Sequence, residues 1–476
     1  MKNCLQQLQQ QLSAASKFAA SSISGEPNFF QCSCSCKACN SSPASTSAQT
    51  FKVGVLLWSH NMWRKYRVPS LAFELIVVTA AFAAAVPWPV VTVPVVSPNL
   101  RCLDPSGAPV DWWTALKAPT VSSSSDPLVA AGTAYVYTDA NDASTAFQLT
   151  GRDITDVDSS PLALTLQALY DAAAVGNSTD LGFVFYDDEV PNSDDSDCTN
   201  SNATNCDSRF GAPLVSAHAK GVLGFGASGG FWLVHSVPKA FPAPANGKKV
   251  TSFSYPSSGL RYGQSFLCLS LPLAAVDEVG LQLQYFNPEE FDEQMDDSLI
   301  ARLPNMAAFI SGRTIDKAGS HVAELSTLGG SEFVSFAKNA AWGQDLYSRL
   351  VAPHFGVPLA VETWMRPEED SYYPPDVPYA TVNVLELQLG SGAAAVSFGE
   401  SKDHSKWAVS QDASRSSSGA VPSPAVTCIG GINRQKSQWE RGGGTVCLQD
   451  SRLWTLFNAT IAQADPINPS RKSSLL

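Results

Sequence analysis

Residues 216–241 read SAHAKGVLGFGASGGFWLVHSVPKAF, and this stretch decides the fold. Its apolar residues predict two strands, 219–225 and 231–236, and the glycines between them predict a tight hairpin turn. The segment GASGG, 226–230, matches the nucleophile turn of serine hydrolases. That turn requires a helix after it, whereas the residues that follow here have the pattern of a strand, so a hairpin is the better prediction.

A histidine and a lysine stand at the entrance of this hairpin, and the same pair returns later. His218-x-Lys220 has a second copy, His404-x-Lys406, in the stretch DHSKWAVS at 403–410. On a strand, residues i and i+2 point to the same face, so each pair can hold one phosphate. Two pairs brought together on a pseudo-twofold axis supply a nucleophile and a general acid. The alternative is a surface histidine beside a surface lysine, which two copies among six histidines make less attractive.

The composition is that of a folded protein with an acidic surface. Of 476 residues 44% are hydrophobic and 10% aromatic, enough for one large core or two medium ones. From Cys102 onward there are 23 basic and 41 acidic residues. Such a surface argues against tight, sequence-reading DNA binding at neutral pH and fits a protein that works in acid. Many ordinary secreted proteins have the same surface.

The rest of the folded part alternates strands with amphipathic helices, which predicts a mixed α/β fold. Strands are expected at 133–139, in DLGFVFYDDE, in LAVETW and in ATVNVLELQL. Helices are expected at 160–176, 292–311 and 331–350.

The first hundred residues differ from the rest. Residues 1–61 are rich in Gln, Ser and Ala and are predicted to be disordered or to precede the true start, with a metal site at Cys36-x-x-Cys39 the weaker alternative. Residues 62–100 have a basic beginning and an apolar stretch, 71–86, typical of a secretory signal peptide, or of a signal anchor followed by a linker.

Other features also favour the secretory route. Six cysteines past residue 100 indicate three disulfides, and proximity in sequence favours two pairs, which leaves the third, although fifteen pairings are open. The favoured pairs are Cys198–Cys206, Cys428–Cys447 and Cys102–Cys268. Three triplets are glycosylation acceptors, at Asn177, Asn202 and Asn458.

Longer blocks carry a family resemblance. CLDPSGAPVDWWTALKAP, GTAYVYTD, HAKGVLGF, GGFWLVHSVPKAF, YGQSFLCLSL, DLYSRLVAP, VETW, DHSKWAVS and CIGGINR follow one another in this order. Together they resemble deoxyribonuclease II, an acid endonuclease similar to the phospholipase D superfamily. The resemblance implies two similar α/β halves, each a mixed sheet flanked by helices, with the active site at their interface. The halves would be 101–280 and 281–463, followed by a tail at 464–476.

The resemblance also implies a chemistry. DNA would be cleaved without a divalent metal or other cofactor and without sequence readout, leaving 3′-phosphate and 5′-hydroxyl ends through a phosphohistidine. By analogy His218 would be the nucleophile and His404 the general acid, although their pseudo-symmetry leaves the reverse open. Lys220 and Lys406 would stabilise charge, with His235 and Asn433 as supporting polar groups.

Some points of the pattern stay open. The superfamily motif carries an Asp after the lysine, which is missing after Lys220, while Asp412 is a candidate after Lys406. The resemblance places the protein in the lysosome by the secretory route, or outside the cell, and leaves a homodimer open. Two alternative functions are a non-catalytic secreted DNA-binding protein of this fold and a phosphodiesterase acting on lipid head groups.

Overall fold

The computed structural model describes nine stretches of chain with gaps between them, and they fall into two compact units, Met1–Val91 and Thr92–Leu476. In the first unit it describes an antiparallel pair of strands, β1 (Phe30–Ser35) and β2 (Thr50–Val55). In the second it describes residues 99–174, 180–188, 217–239, 241–244, 252–366, 368–412 and 421–467. The predicted signal segment, Cys198, Cys206, Asn177 and Asn202 lie outside the described residues.

The strands of the second unit build two large sheets. In chain order they are β3 (Trp112–Lys117), β4 (Tyr135–Asp139), β5 (Gly182–Asp187), β6 (Gly221–Gly226), β7 (Gly229–His235), β8 (Gln264–Leu271), β9 (Glu289–Met295), β10 (Ser320–Ser326), β11 (Glu332–Lys338), β12 (Leu359–Glu362), β13 (Thr381–Leu389), β14 (Val396–Gly399), β15 (Trp407–Ser410), β16 (Val426–Gly430), β17 (Gly443–Gln449) and β18 (Ile461–Ala464).

The helices are fewer and mostly short. They are α1 (Pro127–Ala131), α2 (Pro161–Ala174), α3 (Leu273–Phe286), α4 (Asp297–Ile300), α5 (Pro304–Ile310), α6 (Ala352–Phe355) and α7 (Ser451–Asn458), with a π-helical turn at Tyr347–Val351. Among the described residues, no helix has the length and apolar character needed to span a bilayer.

The two sheets repeat one strand order. The first runs β4-β3-β8-β7-β6-β5-β9, and the second runs β10-β11-β17-β16-β15-β12-β13-β14, with β18 also paired to β13. Read from the same end, β6 corresponds to β15, β7 to β16, β8 to β17 and β5 to β12. The predicted fold class, two similar mixed sheets with flanking helices, is confirmed.

Side chains alternate in direction along the strands, so the buried residues form one cluster between the sheets and another on an outer face. Leu223 and Phe225 of β6 join Trp407 of β15 in one buried cluster, which both sheets share. Val222, between the first two in sequence, belongs to a separate cluster with α2 on the outer face of the first sheet. A period of two therefore gives each central strand two buried faces.

Several predicted elements are confirmed, including the hairpin of β6 and β7, helix α2 and strands β4, β12 and β13. The predicted helices at 292–311 and 331–350 are wrong. The first contains the end of β9, which pairs with β5, followed by the short helices α4 and α5. The second contains β11, which lies between β10 and β17. Pairing with neighbouring strands overrides the helix propensity of the Glu, Gln and Ala residues in these segments.

Two of the three favoured disulfides are present. Cys102 is bonded to Cys268 of β8, and Cys428 of β16 is bonded to Cys447 of β17. The first bond joins the chain just before β3 to the centre of its sheet. The first sheet extends to Met295 of β9, while the proposed division of the chain at 280/281 stays a prediction.

Candidate active site between the two sheets

The two His-x-Lys dyads occupy equivalent positions of the two sheets. Lys220 directly precedes β6 and Lys406 directly precedes β15. The carbonyl of Lys220 accepts from His235 N, 3.2 Å away, and that of Lys406 accepts from Gly430 N, 2.9 Å away. The strand that follows each dyad therefore begins at the equivalent position of its sheet.

Each dyad is held by the facing half. His218 N donates to the carbonyl of Gly442 (2.8 Å), and His404 N donates to the carbonyl of Gly263 (2.9 Å). These glycines are equivalent, because Gly263 precedes β8 and Gly442 precedes β17. A Cβ on Gly263 would collide with the side chain of Asp403, and one on Gly442 with the backbone of Phe286. A side chain at Gly263 would thus meet the facing half and one at Gly442 would meet the end of α3, so both positions favour glycine.

Carboxylates surround the first dyad. His218 Nδ1 lies 2.5 Å from the carbonyl of Gly431, and since a carbonyl can only accept, Nδ1 carries a hydrogen and Nε2 has the free lone pair of the neutral ring. Nε2 lies 3.4 Å from Asp188 Oδ2. Asp188 also forms a close ion pair with Lys220, whose Nζ lies 3.9 Å from Asp187 Oδ1.

The electrostatics of the first dyad favour a neutral imidazole. Burial and the charge of Lys220 lower the pKa of His218 well below its ordinary value, although Asp188 acts in the opposite direction. Burial raises the pKa of Asp188, but the charge of Lys220 and its hydrogen bond to the carboxylate outweigh it and leave the pKa well below the ordinary value. Asp188 is therefore an anion that balances Lys220.

Aromatic rings surround the second dyad. The imidazole of His404 is stacked on Tyr262, with centroids 4.2 Å apart and planes at 8°. Trp364 meets the same imidazole at 4.4 Å and 75°. Lys406 Nζ donates to the carbonyl of His404 (2.5 Å), and its backbone N donates to Ser265 Oγ of the first half (3.1 Å).

The charges of both dyads act on the second one. Burial and Lys406, with a further contribution from Lys220, lower the pKa of His404 to about 3. Burial and the charge of Lys220 lower the pKa of Lys406 to about 7. Lys406 likewise helps to lower the pKa of His218, so the two dyads share one electrostatic environment.

Strand register shows which side chains replace one another around the two histidines. Tyr186 pairs with the residue after Lys220, and Glu362 pairs with the residue after Lys406. Asp188 lies two residues after Tyr186, and Trp364 lies two residues after Glu362, so Asp188 and Trp364 occupy equivalent positions. Tyr262 and Arg441 are also equivalent, because each directly precedes one of the two equivalent glycines. Arg441 donates to the carbonyl of Ala217 (2.8 Å) and lies 3.9 Å from Asp188 Oδ2.

Two buried carboxylates near the second dyad escaped the sequence analysis. Asp403 accepts from the backbone N (3.0 Å) and Oγ (2.5 Å) of Ser405, and burial raises its pKa. Glu362 is fully buried, and among the described residues neither of its carboxylate oxygens has a hydrogen-bond partner. Burial and the charge of Asp403 raise its pKa well above the ordinary value. These acids precede Lys406 in sequence, unlike the candidate Asp412.

A pair of buried lysines supports the backbone on either side of the site. Lys117 Nζ donates to the carbonyls of Ala118, Gly132 and Leu260 at 2.7–3.0 Å. Lys338, at the equivalent end of β11, donates to the carbonyls of Gln438, Trp439 and Arg441 at 2.5–3.0 Å. The two ammonium groups thus fix the segments that lead to Tyr262 and Gly442.

The predicted supporting residues are both buried. His235 ends β7 next to Lys220, and burial and the charge of Lys220 lower its pKa to about 3. The register equivalent of His235 is Gly430, three residues before Asn433.

Asn458, a predicted glycosylation acceptor, is half-buried at the end of α7, where its Oδ1 accepts from Gln411 Nε2 (3.1 Å). Within the described residues, no three His, Cys, Asp or Glu side chains form a group that could hold a metal ion.

The fold and the paired dyads define a phospholipase D-like protein, and known proteins narrow this class. Residues 101–467 match the family model of deoxyribonuclease II. Plancitoxin-1 of Acanthaster planci is 33% identical over 371 residues, which cover 78% of this chain and 93% of that relative. Deoxyribonuclease-2-alpha of Rattus norvegicus is 34% identical (77% and 94% covered), and deoxyribonuclease-2 of Caenorhabditis elegans is 34% identical (76% and 92% covered). The chain therefore belongs to the deoxyribonuclease II family and is a nuclease of the hydrolase class.

Proposed function

We propose that this protein is an endonuclease that hydrolyses DNA in acid without a metal ion and leaves 3′-phosphate and 5′-hydroxyl ends. The observation that carries the proposal is the pair of His-x-Lys dyads at equivalent positions, each held by a backbone carbonyl of the facing half. The names of the relatives, two of them deoxyribonucleases, support DNA as the substrate. Lys220 and Lys406 supply the positive charge that the non-bridging phosphate oxygens require.

The first step uses His218 as the nucleophile. Its Nδ1 hydrogen is directed to the carbonyl of Gly431, which leaves the Nε2 lone pair for attack on phosphorus. The lowered pKa of His218 keeps this lone pair free in acid. A bond forms between Nε2 and phosphorus, and the bond from phosphorus to the departing 5′ oxygen breaks.

His404 gives that oxygen its proton. The face of Tyr262 against the imidazole favours the protonated ring, since an aromatic face attracts a cation. The charges of Lys406 and Lys220, which lower the pKa of His404 in the free protein, are offset when a phosphodiester anion binds between them. His404 then takes a proton from water, which attacks phosphorus and releases the 3′-phosphate from His218.

Contacts through phosphate carry no base information, so the proposal includes no sequence readout. The signal segment in the sequence and the two disulfides support passage through an oxidising compartment, and we place the protein in the lysosome or outside the cell. The alternatives, a non-catalytic DNA-binding protein and a lipid phosphodiesterase, are separated from this function by the experiment below.

Nicking of supercoiled plasmid at about pH 5 in excess chelator tests the proposal, with pH chosen below the ordinary histidine pKa. Wild-type protein is expected to nick the plasmid and to leave ends that a 3′-phosphatase must treat before a polymerase can extend them. His404→Ala is expected to lose nicking, while His354→Ala, which changes a histidine packed on Phe336, keeps it. Absence of nicking by wild type, or equal nicking by His404→Ala, would reject the nuclease mechanism.

A further inference from the structure

Of the two dyads, only the second has aromatic side chains at the two equivalent positions described above. These side chains, Tyr262 and Trp364, form an aromatic surface beside His404. Tyr262 and Trp364 meet each other at 5.2 Å and 72°, and both lie within 4.4 Å of the imidazole of His404. Both rings are half-buried, so part of each is accessible to solvent. The mechanism uses the face of Tyr262 that covers His404 and gives Trp364 no task.

Arginines border this aromatic surface in a chain that is otherwise acidic. Arg261 is exposed, and its guanidinium carbon lies 5.1 Å from the centroid of the Tyr262 ring. Arg366 is exposed two residues after Trp364, with Nη2 3.6 Å from Glu400 Oε1. Aromatic rings interleaved with guanidinium groups are the surface that binds single-stranded nucleic acid, the rings through bases and the cations through phosphates.

The equivalent positions around His218 have a different chemistry. Asp188 and Arg441 stand where Trp364 and Tyr262 stand around His404, and they lie 3.9 Å apart as an ion pair. Charged groups engaged with each other and with Lys220 give a base no comparable stacking surface. The two sides of a phosphate bound between the dyads therefore meet different surfaces.

We propose that Trp364 and Tyr262 form a subsite for one nucleobase, that of the nucleotide whose 5′ oxygen leaves. The inference rests on the proposed function, in which His404 protonates that oxygen and so lies on the leaving side of the phosphate. A base enters the subsite only after it unstacks from its neighbours, so the subsite favours single-stranded or locally opened DNA. Stacking is tolerant of base identity, which agrees with a nuclease that reads no sequence.

The test uses single-stranded 12-mers in which methylphosphonates replace every linkage except one, so that a single bond can be cut. An abasic nucleotide is placed on either the leaving side or the 3′-phosphate side of that bond. For wild type, loss of the leaving-side base is expected to lower kcat/KM about 5- to 150-fold, the range of one stacked base. Loss of the base on the other side is expected to have a smaller effect.

Variants assign the effect to the aromatic surface. Trp364→Leu is expected to cut the abasic and the complete leaving-side substrates at the same low rate, and Trp364→Phe is expected to keep most of the discrimination. Tyr285→Leu is the matched control, because Tyr285 is a half-buried ring stacked on His321 (5.4 Å, 16°). A melting temperature for each variant separates loss of the subsite from loss of the fold.

Binding separates this inference from the proposed function. 2-Aminopurine placed on the leaving side is expected to change its fluorescence when it binds to His218→Asn, and to change little with His218→Asn/Trp364→Leu. If no oligonucleotide is cut, the nuclease mechanism fails and the fluorescence result decides the subsite. Equal abasic effects on both sides, discrimination that survives in Trp364→Leu, or equal fluorescence changes in both binding variants would overturn the subsite.

Discussion

The surroundings of His218 and His404 differ far more than the strands that carry them. Around His218 register places Asp188 and Arg441, and around His404 it places Trp364 and Tyr262. The backbone contacts are reciprocal, since each histidine N–H meets the carbonyl of an equivalent glycine. Two side-chain positions, rather than the fold, thus distinguish the proposed nucleophile, among charges, from the proposed acid, among aromatic rings.

A single substitution among the charged residues around His218 should lower kcat more than one among the aromatic residues around His404. In Asp188→Asn the amide cannot balance Lys220, and loss of a charged hydrogen bond of this kind lowers kcat about 10- to 100-fold. Steady-state cleavage of a fluorescent oligonucleotide at acid pH measures the loss. Asp316→Asn, at an exposed carboxylate, is the control and should match wild type. Equal kcat for Asp188→Asn and wild type would remove Asp188 from the site.

Local alternation predicted a mixed α/β fold and the hairpin of β6 and β7, short motifs predicted the two dyads, and the family resemblance implied the two similar halves. The sequence did not reveal Asp188 as the partner of Lys220, since Asp188 follows β5 and reaches the dyad only through strand pairing. A signal was present in the two adjacent aspartates that end the strand FVFYDD. Tyr262 could not have been found in this way, because its contact with His404 joins the two halves.

The helices wrongly predicted at 292–311 and 331–350 show the same limit. The acidic residues of β9 favour a helix locally, but the backbone of β5 beside them offers an antiparallel partner. The equivalence of Lys117 and Lys338 was equally hidden, because a lysine at the end of a strand looks like a solvated residue. Only the three carbonyls around each ammonium group reveal the buried position.

The dependence of kcat/KM on pH should follow the charge of Lys406. In the proposed mechanism Lys406 stabilises the phosphate only when protonated, and its pKa is about 7, so above that value loss of its charge should add about tenfold per pH unit to the fall in kcat/KM that deprotonation of His404 causes. Where Glu362 is ionised its charge raises the pKa of Lys406, so Glu362→Gln should move this limb to lower pH.

Profiles of kcat/KM from pH 4 to 9 test this, because the range lies on both sides of the pKa of about 7 of Lys406. Glu293→Gln, at an exposed position of β9, is the control and should leave the limb in place. A limb that shifts to higher pH in Glu362→Gln, or does not shift, would separate Glu362 from Lys406.

A substitution among the aromatic residues around His404 should have the smallest effect on kcat. Tyr262→Leu removes the stacked face from His404, and a ring contact of this strength accounts for about a twofold to tenfold change in kcat on DNA. The change should shrink for a substrate whose leaving group needs no proton, and stopped-flow rates with both substrates measure it. A loss of equal size for both substrates would show that Tyr262 does not act through the acid.

The division of labour between the histidines is tested most directly with thymidine 3′-(4-nitrophenyl phosphate), whose leaving group departs without a proton. His404→Ala should release about one equivalent of nitrophenolate in a burst and then stall with phosphate on His218, because no base remains to activate water. His218→Ala should give no burst. A burst from His218→Ala, with none from His404→Ala, would contradict the assignment of His218 as the nucleophile.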